Sequence, residues 1–337
     1  MKPLEDIVIV EGLTKTFGSL RAVDEVSFTV KKGEIFGFLG PNGAGKTTTI
    51  NLLTTLMKPT SGRGLVAGFD IQREPQKVRK RIGVLFQDIT LDRELTGWEN
   101  LWIHGLIYGI PRSVLKRRIS ELLAFVELED WARSQVKKYS GGMQRRLQIA
   151  AALLHRPEVL FLDEPTLGLD PQTRAHVWDY ILELQRNEKV TVFLTTHYMD
   201  EAERLCHRTA IIDHGKIIAL GSPEELKRAL GSDVVYVQLA PESLQETGRM
   251  AESLKNCKEF SRVQVVRPGE ISVSAVRAAE AIPKIFEEAE GLAVRVREVA
   301  YHTPTLEDVF LHLTGRKLRD EEVGGIEAIR IRHRWWR

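Results

Sequence analysis

Cysteine is scarce in this sequence: Cys206 and Cys257 are the two cysteines among 337 residues, and they stand far apart without metal-ligand spacing. A scaffold held by disulfides is therefore excluded, and a reducing compartment is favoured. Long apolar runs are missing as well. The longest stretch without Asp, Glu, Lys or Arg covers the twelve residues 100–111, whereas a membrane-spanning helix needs about 20 apolar residues. We therefore expect that the chain does not cross a bilayer by itself.

An excess of charge of one sign is also lacking, because 48 Lys and Arg residues stand against 46 Asp and Glu residues. The net charge of +2 gives no global field that favours nucleic acid, so no nucleic-acid partner is predicted. The N-terminus carries acids where a secretion signal would be apolar, and the last four residues, RWWR, form no prenylation box. The length, with 43% hydrophobic residues, predicts one large domain and one smaller domain.

From residue 7 to about residue 230, short apolar runs rich in β-branched residues alternate with longer helical patterns. The runs predicted as strands are residues 7–10, 35–39, 82–86, 159–162, 190–194 and 209–212. The patterns predicted as helices are residues 47–57, 114–127, 144–155 and 173–186. This alternation predicts an α/β domain over residues 1–230 with a largely parallel sheet buried on both faces. In such a sheet, ligands bind at the carboxyl ends of the strands.

The alternation lapses over about residues 88–136, which are predicted to form an inserted helical subdomain. Ser222 and Pro223 begin a short helix that is predicted to close the first domain near residue 230. Residues 231–315 then follow the order βαββαβ, the ferredoxin-like pattern of a small α+β domain. Its strands are predicted at residues 234–239, 260–266, 271–275 and 292–299, and its helices at residues 241–256, 277–290 and 306–313. Residues 316–337 form a basic tail.

Residues 40–47, with the sequence GPNGAGKT, match the eight-position phosphate loop in full, after a predicted strand and before a predicted helix. Glycines let backbone N–H groups close around phosphate oxygens, and the helix start adds partial positive charge at the same point. Lys46 is expected to reach the β- and γ-phosphates, and the Thr47 hydroxyl is expected to ligate Mg²⁺. The alternative is a glycine-rich turn with a capping threonine.

Two acids, Asp163 and Glu164, follow the apolar run at residues 159–162. Acids at the end of a buried strand are costly unless they face a ligand. Asp163 fits the carboxylate that phosphate-loop enzymes place near Mg²⁺, and Glu164 can act on an attacking water as a general base. The alternative is an ordinary surface turn.

A second anion-binding helix start is predicted at Ser140, Gly141 and Gly142, where a hydroxyl, bare backbone and a helix N-terminus converge. One ATP needs one such helix start, so the second is predicted to serve the nucleotide of a neighbouring copy. Two copies are then expected to bind head to tail with two-fold symmetry, each ATP lying between them.

These motifs fall in the order of the nucleotide-binding subunit of an ATP-binding cassette (ABC) transporter, which the chain resembles over about residues 5–230. The resemblance implies a P-loop ABC ATPase that uses ATP and Mg²⁺, forms a homodimer and drives integral-membrane permease subunits. The implied catalytic residues are Glu164, His197 and Lys46, and the implied metal ligands are Thr47, Gln87 and Asp163. The residues implied to contact ATP are Phe17, Gly40, Pro41, Asn42, Gly43, Ala44, Gly45, Lys46, Thr47, Thr48, Gln87, Ser140, Gly141, Gly142 and Asp170.

For three of these residues, a purely structural role is the alternative to a contact with the nucleotide. Phe17 matches the aromatic that stacks on adenine, but a lone phenylalanine is more often a core residue. Gln87 matches the Q-loop residue, or it merely closes a strand. His197 matches the switch histidine that contacts the γ-phosphate, or it caps the helix that follows. The signature at residues 139–143 departs from the commonest form at its first and last residues, which we expect to matter little for hydrolysis.

Residues 87–110 lie in the part of the family fold that grips a membrane subunit. Helix-in-groove docking needs exposed apolar anchors, and the candidates are Leu91, Leu95, Trp98, Leu101 and Trp102. The competing interpretation is that these residues fill the core of the helical subdomain. We expect both, and the two tryptophans stay undecided.

Residues 303–314 resemble the C-terminal extension of daunorubicin-resistance-type drug-efflux ATPases. The resemblance implies an exporter of drugs, lipids or other small molecules, held at the inner face of the cell membrane by its permease. Because residues 231–315 contain no catalytic constellation, dimer stabilisation or regulation is predicted for them. The arginines and tryptophans of the tail suit an anionic membrane interface, or the tail is a solvated end.

Two other functions stay open from the sequence. The first is a soluble ABC ATPase that acts on ribosomes or chromosomes; such proteins typically carry tandem cassettes or a long coiled coil, and this sequence has neither. The second is a phosphate-loop GTPase or kinase. That alternative leaves residues 140–142 unexplained, and no Asn-Lys-x-Asp sequence for reading guanine is present.

Overall fold

The computed structural model of the chain describes residues 5–230 and 233–315. The chain divides into two compact units, residues 1–220 and residues 221–337. The predicted tail at residues 316–337 lies outside the described residues. Sequence reasoning placed the division at residue 230, whereas the short helix that begins after Ser222 belongs to the second unit, where it packs on the last helix.

The described part of the first unit, from residue 5 onward, contains ten strands and seven α-helices. The strands are β1 (Asp6–Phe17), β2 (Leu20–Lys31), β3 (Ile35–Leu39), β4 (Ser61–Val66), β5 (Phe69–Asp70), β6 (Ile82–Leu85), β7 (Val159–Asp163), β8 (Thr191–Thr196), β9 (Arg208–Asp213) and β10 (Lys216–Gly221). The helices are α1 (Lys46–Leu53), α2 (Pro75–Arg81), α3 (Gly97–Ile107), α4 (Arg112–Phe125), α5 (Gly141–Leu153), α6 (Pro171–Glu188) and α7 (Met199–Leu205). A 3-10 turn at Val136–Lys138 precedes α5.

The central sheet has six strands in the order β10-β9-β3-β8-β7-β6, and the pairs from β9 to β6 are parallel. Every residue of β3, β7 and β8 is buried, as in a sheet that is covered on both faces. The predicted parallel sheet is therefore confirmed. Because β3, β8 and β7 are neighbours, the segments that follow their carboxyl ends meet at one edge of the sheet.

A separate antiparallel sheet, in the order β2-β1-β4-β5, contains the strand that was predicted at residues 7–10. That strand extends to Phe17 and forms a hairpin with β2, which sequence reasoning missed. Gly18 adopts a φ of +57° in the connecting turn, a conformation that glycine reaches at little cost. The two sheets share a core in which the Phe28 ring stacks on Phe36 at 5.3 Å between ring centres.

Helices α3 and α4 lie in the helical subdomain predicted at about residues 88–136, and they pack on each other and on α5. A capping box between Thr96 and Glu99 begins α3. Leu115 of α4 lies so close to Gly105 of α3 that a Cβ there would meet its Cδ1 at 2.2 Å. In residues 5–230 and 233–315, no helix combines the length and the apolar character that crossing a bilayer demands.

The second unit contains helices α8 (Pro223–Arg228), α9 (Thr247–Lys255), α10 (Ala278–Gly291) and α11 (Leu306–Thr314), and strands β11 (Asp233–Leu239), β12 (Phe260–Arg267), β13 (Glu270–Ala275) and β14 (Val296–His302). The antiparallel strand order β12-β13-β11-β14 confirms the ferredoxin-like fold. The predicted helix at 241–256 is a 3-10 turn followed by α9. The last strand starts later than predicted because Ala293 turns the chain with a φ of +55°.

Candidate nucleotide-binding site

The phosphate loop at residues 40–47 lies between β3 and α1, and its glycines are required by the surrounding backbone. Gly45 caps α1 with a φ of +106°, and a Cβ at this residue would lie 2.3 Å from the Ala22 oxygen. A Cβ at Gly40 would lie 2.2 Å from the Ile212 oxygen. Gly43, with a φ of +82°, has open space around it. The loop is therefore an open cradle that suits a phosphate group.

Lys46 is buried in this cradle, with 4% of its surface exposed. Its Nζ donates to the carbonyl oxygens of Gly40 at 2.8 Å and Pro41 at 3.0 Å. The same atom lies 3.2 Å from Oε1 of Glu164. Burial lowers the pKa of Lys46, although the Glu164 charge opposes that shift. The loop lysine and the acid that follows β7 are thus in direct contact.

Thr47 and Asp163 form the second contact of the site. The Thr47 hydroxyl donates to Oδ1 of Asp163 at 3.2 Å, and the Thr195 hydroxyl donates to the same oxygen. Burial raises the pKa of Asp163, and the hydrogen bonds from both threonines oppose the shift. A hydroxyl beside a carboxylate is a donor set that suits Mg²⁺, which completes its shell with water and phosphate oxygens. The described part of the chain holds no cluster of three or more His, Cys, Asp or Glu that could cage a metal.

Glu164 occupies a strained turn directly after β7, with a φ of +47°. Its N–H donates to the Thr195 carbonyl oxygen at 3.1 Å, and its Oε2 lies 3.0 Å from Nδ1 of His197. Burial raises the pKa of Glu164, but the His197 hydrogen bond and the Lys46 charge outweigh it, so the pKa lies below its ordinary value. The carboxylate is therefore charged and aimed at the phosphate loop.

The structure decides two of the alternatives left by the sequence. His197 does not cap α7, because Tyr198 holds the N-cap position without a side-chain cap while the His197 ring faces Glu164. Phe17 is no core residue, because 45% of its surface is exposed at the end of β1, where Lys15 lies 5.1 Å from the ring centre. Gln87 is exposed on the segment after β6.

The signature residues form a second group, at the starts of α5 and α6. Ser140 is exposed and caps α5, its hydroxyl accepting the Met143 N–H at 3.3 Å. Gly142 packs against α6, where a Cβ would lie 2.3 Å from Cγ2 of Thr173. Asp170 caps α6 and accepts hydrogen bonds from the Thr173 N–H at 3.0 Å and its hydroxyl at 2.6 Å. Among the described residues, no recorded hydrogen bond joins the Ser140 hydroxyl to the phosphate loop.

The unusual first residue of the signature, Tyr139, has a structural explanation. Its hydroxyl donates to the Trp131 carbonyl oxygen at 2.7 Å, and the two rings meet edge to face. Gly97 leaves room for that hydroxyl, since a Cβ there would lie 2.3 Å away from it. The tyrosine therefore anchors the start of α5 to the helical subdomain.

Sequence reasoning missed Arg145, a buried residue of α5 whose guanidinium donates to the backbone around Asp163 and Glu164. Burial lowers its pKa to about 10, against the opposing charge of Asp163, so it stays protonated at neutral pH. The sequence offers one signal, a charged side chain within the apolar run of a helix. That signal does not separate Arg145 from the adjacent Arg146.

The candidate apolar anchors at residues 87–110 are divided between the core and the surface. Leu101 is fully buried and belongs to the core. Trp98 and Trp102 stack with ring centres 4.8 Å apart and are partly exposed. The more exposed side chains are Ile103, Leu106 and Ile107, which we call the apolar face of α3. Their spacing of three and four residues puts them on one side of the helix.

A phosphate loop with a paired lysine and base, on a parallel sheet with a helical insertion, defines a nucleotide-hydrolysing cassette. The ABC transporter family model matches residues 23–167. The model for the C-terminal domain of the DrrA1-3-like ATP-binding protein matches residues 221–314. The linearmycin resistance ATP-binding protein LnrL of Bacillus subtilis is 39% identical, covering 92% of this chain and 99% of that protein. The chain therefore belongs to the ATP-binding, ATP-hydrolysing subunits of ABC transporters.

Two further comparisons agree with this membership. The daunorubicin resistance ATP-binding protein DrrA3 of Streptomyces coeruleorubidus is 40% identical, covering 94% of this chain and 98% of that protein. The dimeric structure of the ATP-binding cassette MJ0796 bound to ADP and Pi is 28% identical with a TM-score of 0.58, covering 64% of this chain and 98% of that chain. The GTPase and kinase alternative is thus wrong, and nothing favours an action on ribosomes or chromosomes.

Proposed function

We propose that residues 40–48 hold the triphosphate of ATP, with Lys46 as the charged contact to the β- and γ-phosphates. Thr47 and Asp163 are the candidate ligands of Mg²⁺, together with Gln87. A metal held there would supply positive charge to the phosphate oxygens. The open loop with its required glycines and the adjacent hydroxyl and carboxylate support this assignment.

Glu164 is the proposed general base, and its contact with His197 and Lys46 is the single observation that carries the proposal. A lowered pKa keeps the carboxylate ionised at neutral pH, ready to accept a proton from water. His197 holds one carboxylate oxygen and is the proposed switch histidine. Phe17 offers an exposed ring to adenine, and Asp170 holds the start of α6 near the signature.

The second nucleotide contact is proposed to come from a partner copy, through its residues 140–142. An exposed Ser140 at the start of α5, whose hydroxyl accepts only the Met143 N–H among the hydrogen bonds of the described residues, supports a contact in trans. ATP then stabilises the closed dimer because it binds that state more strongly, and hydrolysis releases the dimer. This cycle of dimer closure and release would drive the conformational change of the permease.

Replacing Ser140 with arginine tests the trans contact. We expect Ser140→Arg to bind ATP like the parent, since residues 40–48 are untouched, but to lose hydrolysis and ATP-dependent dimerisation. Fluorescence titration, phosphate release and size-exclusion chromatography measure the three properties. Lys46→Ala is the comparison, because it is expected to lose ATP binding itself. Hydrolysis at the parental rate in Ser140→Arg would refute the trans contact.

The membrane partner is proposed to dock on the apolar face of α3, where 77% of the Ile107 surface is exposed. The relatives named for linearmycin and daunorubicin resistance support export of a drug-like molecule, with the chain held at the inner membrane face by its permease. Cross-linking from Ile107→Cys in the co-expressed transporter tests the docking surface. Equal cross-linking from Val276→Cys, an exposed residue of the second unit, would contradict it.

A further inference from the structure

Arg145 is the most heavily engaged buried side chain near the site, with 5% of its surface exposed. Its Nη2 lies 2.6 Å from the Glu164 carbonyl oxygen and 3.1 Å from that of Asp163, and its Nε lies 2.7 Å from that of Pro165. Nη1 donates at 2.6 Å to the carbonyl oxygen of Phe86, on a different segment. One guanidinium on α5 therefore binds the backbone of two separate segments of the site.

Gln148, three residues further along α5, extends the contact with the second segment. Its Nε2 donates to the Asp88 carbonyl oxygen at 3.1 Å, and its Oε1 accepts a hydrogen bond from Arg145 at 3.3 Å. Arg145 also approaches the Gln87 carbonyl oxygen at 3.4 Å. The backbone before and after Gln87 is thus held by side chains of α5.

The contacts at Glu164 fix an unfavourable backbone conformation. A non-glycine residue with positive φ costs about 1–3 kcal/mol and persists where its surroundings hold it. The Glu164 N–H is held by Thr195, and three consecutive carbonyl groups at residues 163–165 accept from the guanidinium. The planar fork of arginine can serve several acceptors at once, which a lysine ammonium cannot do in the same geometry.

We propose that Arg145 is a positioning residue for hydrolysis, because it connects the helix that Ser140 begins with the turn that aims Glu164 and with the segment that carries Gln87. The inference rests on the proposed function, in which Ser140 contacts the nucleotide bound by the partner copy. Helix α5 then contacts one nucleotide at its N-terminus while its second turn holds the base that faces the other nucleotide. The two sites of the dimer are coupled through this helix.

The test is steady-state ATP hydrolysis by the full chain carrying Arg145→Met. Displacing a reacting group by about 1 Å can cost about 10²-fold in rate, and we expect a loss of kcat of that order. The KM for ATP stays near the parental value, because Lys46 and its loop are untouched. The Hill coefficient for ATP falls towards one. A purely structural defect would lower the folded fraction and would leave the Hill coefficient of the remaining active protein unchanged.

Arg146→Met is the matched control. Arg146 is the next residue of α5 and also donates to a carbonyl oxygen, that of Val126 at 2.9 Å, but it has no contact with Glu164. The substitution Arg146→Met removes the same charge from the same helix, and this variant is expected to keep the parental kcat and Hill coefficient. Millimolar methylguanidinium is expected to restore part of the activity of Arg145→Ala and none of that of Arg146→Ala.

Gln148→Met keeps the inference testable if Arg145→Met does not fold. It removes the donor to Asp88 with little change in volume and is expected to lower kcat less than Arg145→Met, again at unchanged KM. Parental kcat and Hill coefficient in the folded Arg145→Met variant, or in Gln148→Met where Arg145→Met is unfolded, would overturn the inference. So would equal losses in Arg145→Met and Arg146→Met. Parental hydrolysis in Ser140→Arg would instead overturn the proposed function.

Discussion

Glu164→Gln tests the ion pair that joins the phosphate loop to the base. Nζ of Lys46 and Oε1 of Glu164 lie 3.2 Å apart, which corresponds to an attraction of about 5 kcal/mol at an effective dielectric constant of about 20. A phosphate group that binds Lys46 must compete with this carboxylate. The glutamine variant has no competing charge, so its affinity for ATP is expected to rise while its turnover falls.

The expected gain in affinity is smaller than the full attraction. Lys46 also keeps its hydrogen bonds to Gly40 at 2.8 Å and Pro41 at 3.0 Å, which hold it in both proteins. A hydrogen bond to a charged group contributes about 1.5–3 kcal/mol. Taking the lower end, the dissociation constant for ATP is expected to fall about tenfold. Loss of the base is expected to slow hydrolysis by about 10²- to 10⁴-fold.

Calorimetric titration with ATP measures the affinity, and phosphate release measures the turnover. Glu127→Gln is the charge-matched control, because Glu127 is an exposed carboxylate that pairs with Arg146 at 3.4 Å, outside the site. The control is expected to leave both quantities unchanged. Unchanged or weaker ATP binding in Glu164→Gln would refute the competition between phosphate and carboxylate.

Three further outcomes are expected from urea unfolding of single variants. The pKa of Glu164 is lowered in the folded protein, so its stabilising charge is present at neutral pH and is lost as the pH falls through that lowered pKa. Glu164→Gln should therefore lose less stability than the parent on acidification. An equal loss in the two proteins would contradict this. Gly142→Ala should cost about 1–3 kcal/mol, because its Cβ meets Cγ2 of Thr173 at 2.3 Å, and Thr173→Ser in the same chain should recover most of it. Thr305→Ala should cost about 1 kcal/mol, since its hydroxyl caps α11 by accepting the Asp308 N–H; no change would show that α11 does not depend on its cap.

The central sheet and the first group of site residues could be predicted from the sequence because their signals are local. The phosphate loop is one uninterrupted pattern between a strand and a helix. Asp163 directly follows the apolar run at residues 159–162, and His197 lies three residues after the end of the run at residues 190–194. Parallel strands deliver such residues to the same edge of a sheet. Short-range patterns and one topological rule therefore place Lys46 and Glu164 at one edge of the sheet, whereas the role of His197 came from the family resemblance and the contacts among the three side chains were not predicted.

The features that escaped prediction depend on contacts between distant parts of the chain. Strand β2 alternates buried and exposed residues. Its pairing with β1 forms a separate antiparallel sheet, which the alternation of strands and helices in the sequence does not predict. Which candidate anchor of α3 enters the core, here Leu101, depends on how α3, α4 and α5 pack. The place of α8 in the second unit depends on its packing with α11, far along the sequence.

Thr195 shows why the two acids of the site cannot be treated as independent. Its hydroxyl donates to Oδ1 of Asp163 and accepts the N–H of Glu164 at 3.1 Å, so one side chain of β8 supports both. On the opposite side, Arg145 binds the carbonyl groups of the same two residues. Because both supports contact the turn at Glu164, a change on either side is expected to displace the proposed base. The geometry of hydrolysis is therefore set by β8 and α5 as much as by the acids themselves.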